Sequence, residues 1–141
     1  MTQLDRKALL QKEKVQIEKV ELGGDNFVYV RQMSGRERDH FEQSMLKAVR
    51  NTKGQVESYE QSLEDYRAKL ATATMCDADG NMLLLPDDVG TLSKNMSAVT
   101  LDKIIAKAQE LNKISEADKE ALVKNSEVAQ SDNSDSASAE N

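Results

Sequence analysis

The chain has 141 residues, which suits one domain and leaves little for a second core. Apolar residues make up 38% of it, below the share of an average globular domain, so the core it can build is modest. The formal charge of −6 is unevenly placed: Glu127, Asp132, Asp135 and Glu140, with no Lys or Arg among them, put −4 on residues 126–141 and leave −2 on residues 1–125.

A nearly balanced body lacks the counterion-release term that drives phosphate binding. Phe27, Phe41, Tyr29, Tyr59 and Tyr66, with no Trp, supply few stacking platforms for bases, so a nucleic-acid reader is not expected. The single cysteine, Cys76, cannot form an internal disulfide, and no basic start followed by an apolar run reads as a secretory signal. The longest apolar run, Met82 to Leu85, is far short of the roughly 18 residues that span a bilayer. These features exclude a membrane span and point to the cytoplasm.

In chain order, residues 1–14 form an N-terminal helical segment, with Leu4, Ala8 and Leu9 as its apolar positions. From Val15 the spacing becomes alternation. Val15 and Ile17 share one face, while Val20 and Leu22 fall one residue out of phase, as a bulge near Glu18 and Lys19 would produce. Gly23-Gly24-Asp25-Asn26 then supplies a turn, and Phe27-Val28-Tyr29-Val30 completes a β-hairpin.

Ser34-Gly35-Arg36-Glu37 has capping-box spacing, so a helix starts at Gly35. Phe41, Met45, Ala48 and Val49 continue it at helical spacing until the polar run Asn51 to Gln55. Tyr59, Leu63, Tyr66, Leu70 and Ala73 follow at steps of four, three, four and three, which predicts a second helix packed antiparallel on the first. Thr72 to Cys76, the turn Asp77 to Asn81 and the run Met82 to Leu85 read as either a short hairpin or a helix ending in a loop and a strand.

Pro86 stops that run, and Asp87 and Asp88 cap a short helix through Leu92. Ser97 to Asn112 is helical, with Leu101, Ile104, Ile105, Ala108 and Leu111 on one stripe and Asn112 suited to a left-handed stop. Ser115 to Asp118 starts a last short helix carrying Leu122 and Val123. Residues 126–141 are an acidic Ser-rich tail whose one large apolar residue, Val128, cannot offset the entropy of ordering, so the tail is expected to be disordered. The fold class is α+β and mostly α-helical: one domain over 15–125, with the N-terminal β-hairpin packed on a small bundle of about four or five helices and a second short hairpin as an option.

No residue set assembles catalytic chemistry. His40 is the single histidine, and its neighbour Asp39 points elsewhere on a helix. Cys76 reads as a small half-buried residue. Asp77-Ala78-Asp79-Gly80-Asn81 resembles a calcium loop until the count reaches Met82, where Gly is needed, and Asp88, where a bidentate Glu should stand. It is a tight polar turn. Gly23-Gly24 lies between strands and lacks the Lys-Ser/Thr sequel of a phosphate loop. The expectation is therefore a binding protein, not an enzyme, with no metal and no cofactor.

Val15 to Arg31, running on through Met33-Ser34-Gly35-Arg36-Glu37-Arg38-Asp39-His40-Phe41-Glu42, resembles the phage and prophage tail assembly chaperones. The same order continues in Cys76 to Asn81, in Leu83-Leu84-Leu85 with Asp87-Asp88-Val89, and in Ala108 to Asn112 with Lys124-Asn125. The likeness spans about residues 5–125 and rests on the ordered series.

It implies a non-virion protein of the bacterial host cytoplasm that coats the tape-measure protein, keeps its apolar helices soluble and recruits tail-tube subunits, with self-association as an option. The polar tail would be the end of a short form, a frameshifted product carrying the tube-binding extension. The run Met82 to Leu85 reads as core filling or as an exposed apolar patch; on the second reading Leu83 and Leu85, or Leu84, whichever face is open, with Tyr59 and Ile105 from the helical stripes, are the candidate partner contacts. The alternative is a structural tail or head-tail joining protein retained in the particle.

Overall fold

Alternating β-branched and aromatic residues favour an extended chain with one buried face, and the N-terminal hairpin follows that rule. In the computed structural model, which describes residues 1–114, β1 (Ile17–Gly23) pairs antiparallel with β2 (Asn26–Arg31), setting Val20 opposite Val28 and Glu18 opposite Val30. Val20, Val28 and Val30 share the inner face, and Val20 and Val30 are buried. On the outer face the Phe27 and Tyr29 rings meet edge to face at 5.6 Å, and the Lys19 ammonium sits 4.2 Å from the Phe27 ring centre. Gly24, at φ 59°, makes the left-handed turn between the strands.

The bulge lies between Glu21 and Gly23, not near Glu18 and Lys19. The ladder is regular from Ile17 to Glu21, so Ile17 and Val20 occupy opposite faces, each with its own cover. Ile17 lies under the Asp77–Asn81 turn: its Cδ1 is 3.1 Å from where a Cβ on Gly80 would stand, and Gly80 has φ 87°. A side chain at Gly80 would meet both strain and contact there.

A third strand, β3 (Met75–Cys76), pairs antiparallel with the free edge of β2, setting Val30 opposite Met75 and Tyr29 opposite Cys76. It continues directly from a helix, which we number α3 (Tyr66–Thr74) after α1 (Arg6–Leu10) and α2 (Gly35–Gln43). The expected choice between hairpin and helix-loop-strand resolves into parts of both. The helix reaches Thr74, a two-residue strand follows, and Met82 returns only as an isolated bridge to Cys76. The chain then makes a 3-10 turn (Pro86–Asp88), α4 (Val89–Asn95) and α5 (Ala98–Leu111).

The stripe on α5 is buried throughout: Leu101, Ile104, Ile105, Ala108 and Leu111 lie between α3 and the inner face of β1 and β2. From α3, Tyr66, Leu70 and Ala71 face the same core, and α2 adds Phe41, whose ring lies 5.9 Å from that of Tyr66. The Ser34 capping box is formed, with the Glu37 amide donating to Ser34 Oγ at 3.2 Å and the Ser34 amide to Glu37 Oε1 at 2.8 Å.

The pair of long helices expected between Gly35 and Ala73 is not formed. The first helix ends at Gln43, and Leu46–Arg50 and Val56–Gln61 form an antiparallel hairpin, here the arm strands βa and βb. Val49, Val56 and Tyr59 prefer extended backbone, and the five residues between the strands close a turn. Asn51 Oδ1 accepts from the Lys53 and Gln55 amides at 2.9 and 3.0 Å, and Gly54 adopts φ 80°. The second helix starts only at Tyr66, because Asp65 is left-handed at φ 56° and interrupts any helix running in from Tyr59. The described chain thus holds two small antiparallel sheets beside its helices. The last short helix at Ser115 to Val123 and the tail at 126–141 lie outside the described residues.

Asn112 was expected to adopt the left-handed stop; Lys113 does so instead, at φ 56°, while Asn112 stays at φ −97°. Its side chain is used elsewhere. Asn112 Oδ1 accepts from the Met33 amide at 2.7 Å, its Nδ2 donates to Ala108 O at 2.9 Å and to Arg31 O at 3.4 Å, and its carbonyl accepts from Arg38 Nη1 at 2.7 Å. This residue ties the end of α5 to the chain leaving β2 and entering α2. Asn112→Ala strands the Met33 amide in a part-buried site and should lower stability by about 1–3 kcal/mol in urea unfolding; a loss below about 0.5 kcal/mol would show that the clamp is not structural.

Candidate functional site

The segment after the Asp77–Asn81 turn alternates in exposure. Met82 and Leu84 point inward, while Leu83 is 52% exposed and Leu85 69%. Three features hold it in place. The Leu83 amide donates to Met75 O at 3.3 Å, Arg31 Nε lies 3.0 Å from Met82 Sδ, and the Leu85 amide donates to Asp88 Oδ2 at 2.8 Å where Pro86 opens the 3-10 turn. Arg31 is itself held by an ion pair with Glu37.

Met82, Leu84, Pro86 and Val89 form one wall of an open groove of 390 Å³ whose other walls are His40 and Phe41 of α2 and Thr72 and Ala73 of α3. The groove is largely apolar. Thr72 is only 5% exposed, and its hydroxyl has no hydrogen-bond partner among the described residues. Leu84 also lines a second hollow of 620 Å³ on its other side, with Leu22, Leu92 and Met96.

The structure separates the five expected contacts. Leu83 and Leu85 stand exposed on the face of this segment that turns away from the groove, and Leu84 is half-buried against the core. Tyr59 is 62% exposed but sits on βb, in the arm, which among the described residues packs on no other element beyond a marginal touch. Ile105 is 8% exposed and belongs to the α5 stripe, so it is a core residue and not a surface contact. Phe41, Ala73, Pro86 and Val89 were missed as groove residues. The signal available for them was the two-residue alternation starting at Met82, read together with the helix stripe that carries Phe41.

The residues weighed for chemistry have local tasks. Cys76 is buried, and that burial pushes its thiol up, with the Arg31 guanidinium offsetting part of the shift and Asp77 adding to it. A thiol so placed stays protonated at neutral pH. Asp77 closes its own turn: Oδ1 accepts from the Asn81 amide at 3.0 Å and the Asp79 amide at 2.8 Å, and Oδ2 from Asn81 Nδ2 at 3.3 Å. The Asn81 amide first, and then the other turn donors, hold this carboxyl below its ordinary range. Among the described residues no three His, Cys, Asp or Glu side chains gather closely enough to hold a metal ion, and no helix is long and apolar enough to cross a membrane. Comparison of the chain with family models, with curated proteins and with solved structures returned no match.

Two outcomes follow from this geometry. Leu85→Asp should change the urea midpoint little, within about 0.5 kcal/mol, whereas Ile105→Asp should prevent folding at neutral pH, because it buries a charge without a partner. Comparable destabilisation by both would place Leu85 inside the core. Because the Asp77 pKa is lower in the folded chain, its stabilising effect is complete above the unfolded value of about 3.9 and drains away as pH falls below it. The stability gap between the wild type and Asp77→Ala should therefore be full at neutral pH and shrink in acid; an equal gap at pH 7 and at pH 3 would show that the carboxylate charge is not what closes the turn.

Proposed function

We propose that the chain is a phage tail assembly chaperone, a binding protein that covers apolar helical segments of a tape-measure protein until tail-tube subunits enclose it. One observation carries this reading beside the ordered sequence resemblance: the apolar groove between α2 and α3, with Leu83 and Leu85 adding exposed apolar area on the other face of the segment that walls it. A helix laid across such a groove inserts side chains spaced three or four apart. At 390 Å³ the groove holds one or two side chains, so one copy would protect about a turn or two of partner helix and a long partner would need many copies.

This mode needs no reaction. Holding and release depend on apolar area alone, and a modest area suits a partner that must later be surrendered to the tube.

Co-expression with the tape-measure protein encoded beside it tests the reading. The wild type should keep that protein soluble, and Leu83→Asp or Leu85→Asp should weaken binding roughly tenfold or more, since each leucine contributes about 1.5–3 kcal/mol when covered. Neither change touches the core, so loss of solubility would not reflect unfolding. Full rescue by both variants would remove this surface from the account, and recovery of the chain from purified particles by mass spectrometry would favour the structural tail or head-tail reading instead.

A further inference from the structure

A very short helix gains little stability of its own, since isolated helices need about 12–15 residues to be even marginal in water. α1 has only Arg6–Leu10, capped by the Asp5 side chain accepting from the Ala8 amide at 2.9 Å, and none of its residues is buried. Leu4, just before it, is exposed, as are Leu9 and Leu10. Among the described residues α1 makes no more than a marginal touch with any other element. The segment has the cap and the leucines of a packed helix without the surface that stabilises one.

Such a surface lies within reach on the same chain. Lys12, Glu13 and Val15, just after α1, line a hollow shared with Arg31 and Glu37, and Glu37 also lines the α2–α3 groove. Arg31 marks this end of the groove, because it contacts both Glu37 on α2 and Met82 on the opposite wall. From there the two walls run on together, α2 through His40 and Phe41 to Ser44, and the loop from Met82 to Val89. The step from Glu13 back to Leu10 spans up to about 10 Å when extended, and α1 itself is roughly 7–8 Å long. Together they reach past the turn of α2 that lines the groove. We propose that α1 closes over the α2–α3 groove of its own chain, turning about Gln11 and Lys12 so that Leu9 and Leu10 cover Phe41 and Ala73. Charge agrees with this direction. Beyond Pro86, at the end away from Arg31, stand Asp87 and Asp88, and Arg6 and Lys7 lie at the end of α1 farther from the hinge. Lys69, which also lines the groove, is engaged in donating to Ser44 O at 2.7 Å. Closed in this way, α1 is a strap that a partner helix must displace, so the partner's apparent affinity falls with the fraction of chains that are open. That regulatory meaning rests on the function proposed above, whereas the contact itself does not.

The experiment is disulfide trapping in the full chain at low concentration. Leu9→Cys is combined with Ala73→Cys in the groove or, for comparison, with Ser58→Cys on the arm, each in a Cys76→Ala background whose fold is checked by circular dichroism. Should Cys76→Ala unfold the chain, Cys76→Ser, closer in size to the thiol, takes its place. Under oxidised glutathione the Leu9–Ala73 pair should close within the monomer roughly tenfold faster than the Leu9–Ser58 pair, because a docked strap raises the effective concentration of its two thiols. Adding Leu10→Asp, which leaves the core untouched, should bring closure down to the rate of the Ser58 pair. Equal rates for the two pairs, or closure unaffected by Leu10→Asp, would overturn the proposal. Closure only into linked dimers, at a rate that rises with protein concentration, would overturn it as well. A chain that closes this link and yet fails to keep the tape-measure protein soluble leaves the strap standing and removes the chaperone reading.

Discussion

The seating of α5 is the constraint from which the rest of the fold follows. Its stripe faces two elements at once, α3 on one side and β1 with β2 on the other, and Ile104 and Ala108 are fully enclosed between them. A helix with one apolar stripe can satisfy both only if α3 and the sheet converge at an angle along its length. β3 makes that convergence covalent. Met75 follows Thr74 with no intervening loop and pairs at once with Val30, so the helix that covers α5 from one side is continuous with the sheet that covers it from the other. The end of α5 then fixes what comes next through Asn112, whose hydrogen bonds to Arg31, Met33 and Arg38 locate the exit of β2 and the start of α2.

That chain of dependence reaches the groove. Phe41 and His40 are presented by α2, whose first turn is held by the Asn112 clamp, while Thr72 and Ala73 lie on the groove side of the helix that covers α5. The third wall, Met82 to Val89, is tied back through Arg31, which also pairs with Glu37 in the first turn of α2. Every wall of the groove is therefore anchored to the same junction of β2, α2 and α5. A groove built this way takes its shape from the fold itself, and its apolar lining remains open because the core has already used the stripe that could have filled it.

What the sequence made legible was whatever one period and one cap decide together. The β1–β2 hairpin has Gly23-Gly24 between two alternating runs, α5 has Ser97 before a five-residue stripe, and α2 has its Ser34–Glu37 box; each is formed. The segment from Met45 to Leu63 was misread because its apolar residues satisfy a helical period by coincidence. Ala48 and Val49 continue the spacing of Phe41 and Met45, and Tyr59 stands four before Leu63, yet the local preference of Val49, Val56 and Tyr59 is extended and, among the described residues, no core lies beneath them. Asp65 in a left-handed conformation could not be foreseen, since its Oδ1 accepts from Ser93 Oγ at 2.6 Å and that partner is distant in sequence. The Met82–Leu85 run reads as core filling or as an exposed patch, and the structure divides it, with Leu83 and Leu85 outside and Leu84 half-buried; Ile105 was not separable from the core, because on a helical stripe position alone does not say which residue is in excess.

The arm and the body are thereby two solutions to one shortage. With so few large apolar residues the chain completes one core, around α5, and the residues from Leu46 to Gln61 add nothing to it. Segments that bury nothing are usually loops, but this one is paired, turned by Asn51 and Gly54, and charged oppositely on its two strands. Lys47 faces Glu60 across the hairpin, while the register shift after Val49 sets Arg50 against Val56 and leaves Glu57 unmatched. The guanidinium of Arg50 instead donates to Gly54 O at 2.9 Å, an exposed contact of little energetic weight. The hairpin's charges are thus only half matched within the chain, and its register rests on the ladder and on the Asn51 and Gly54 turn rather than on ion pairing.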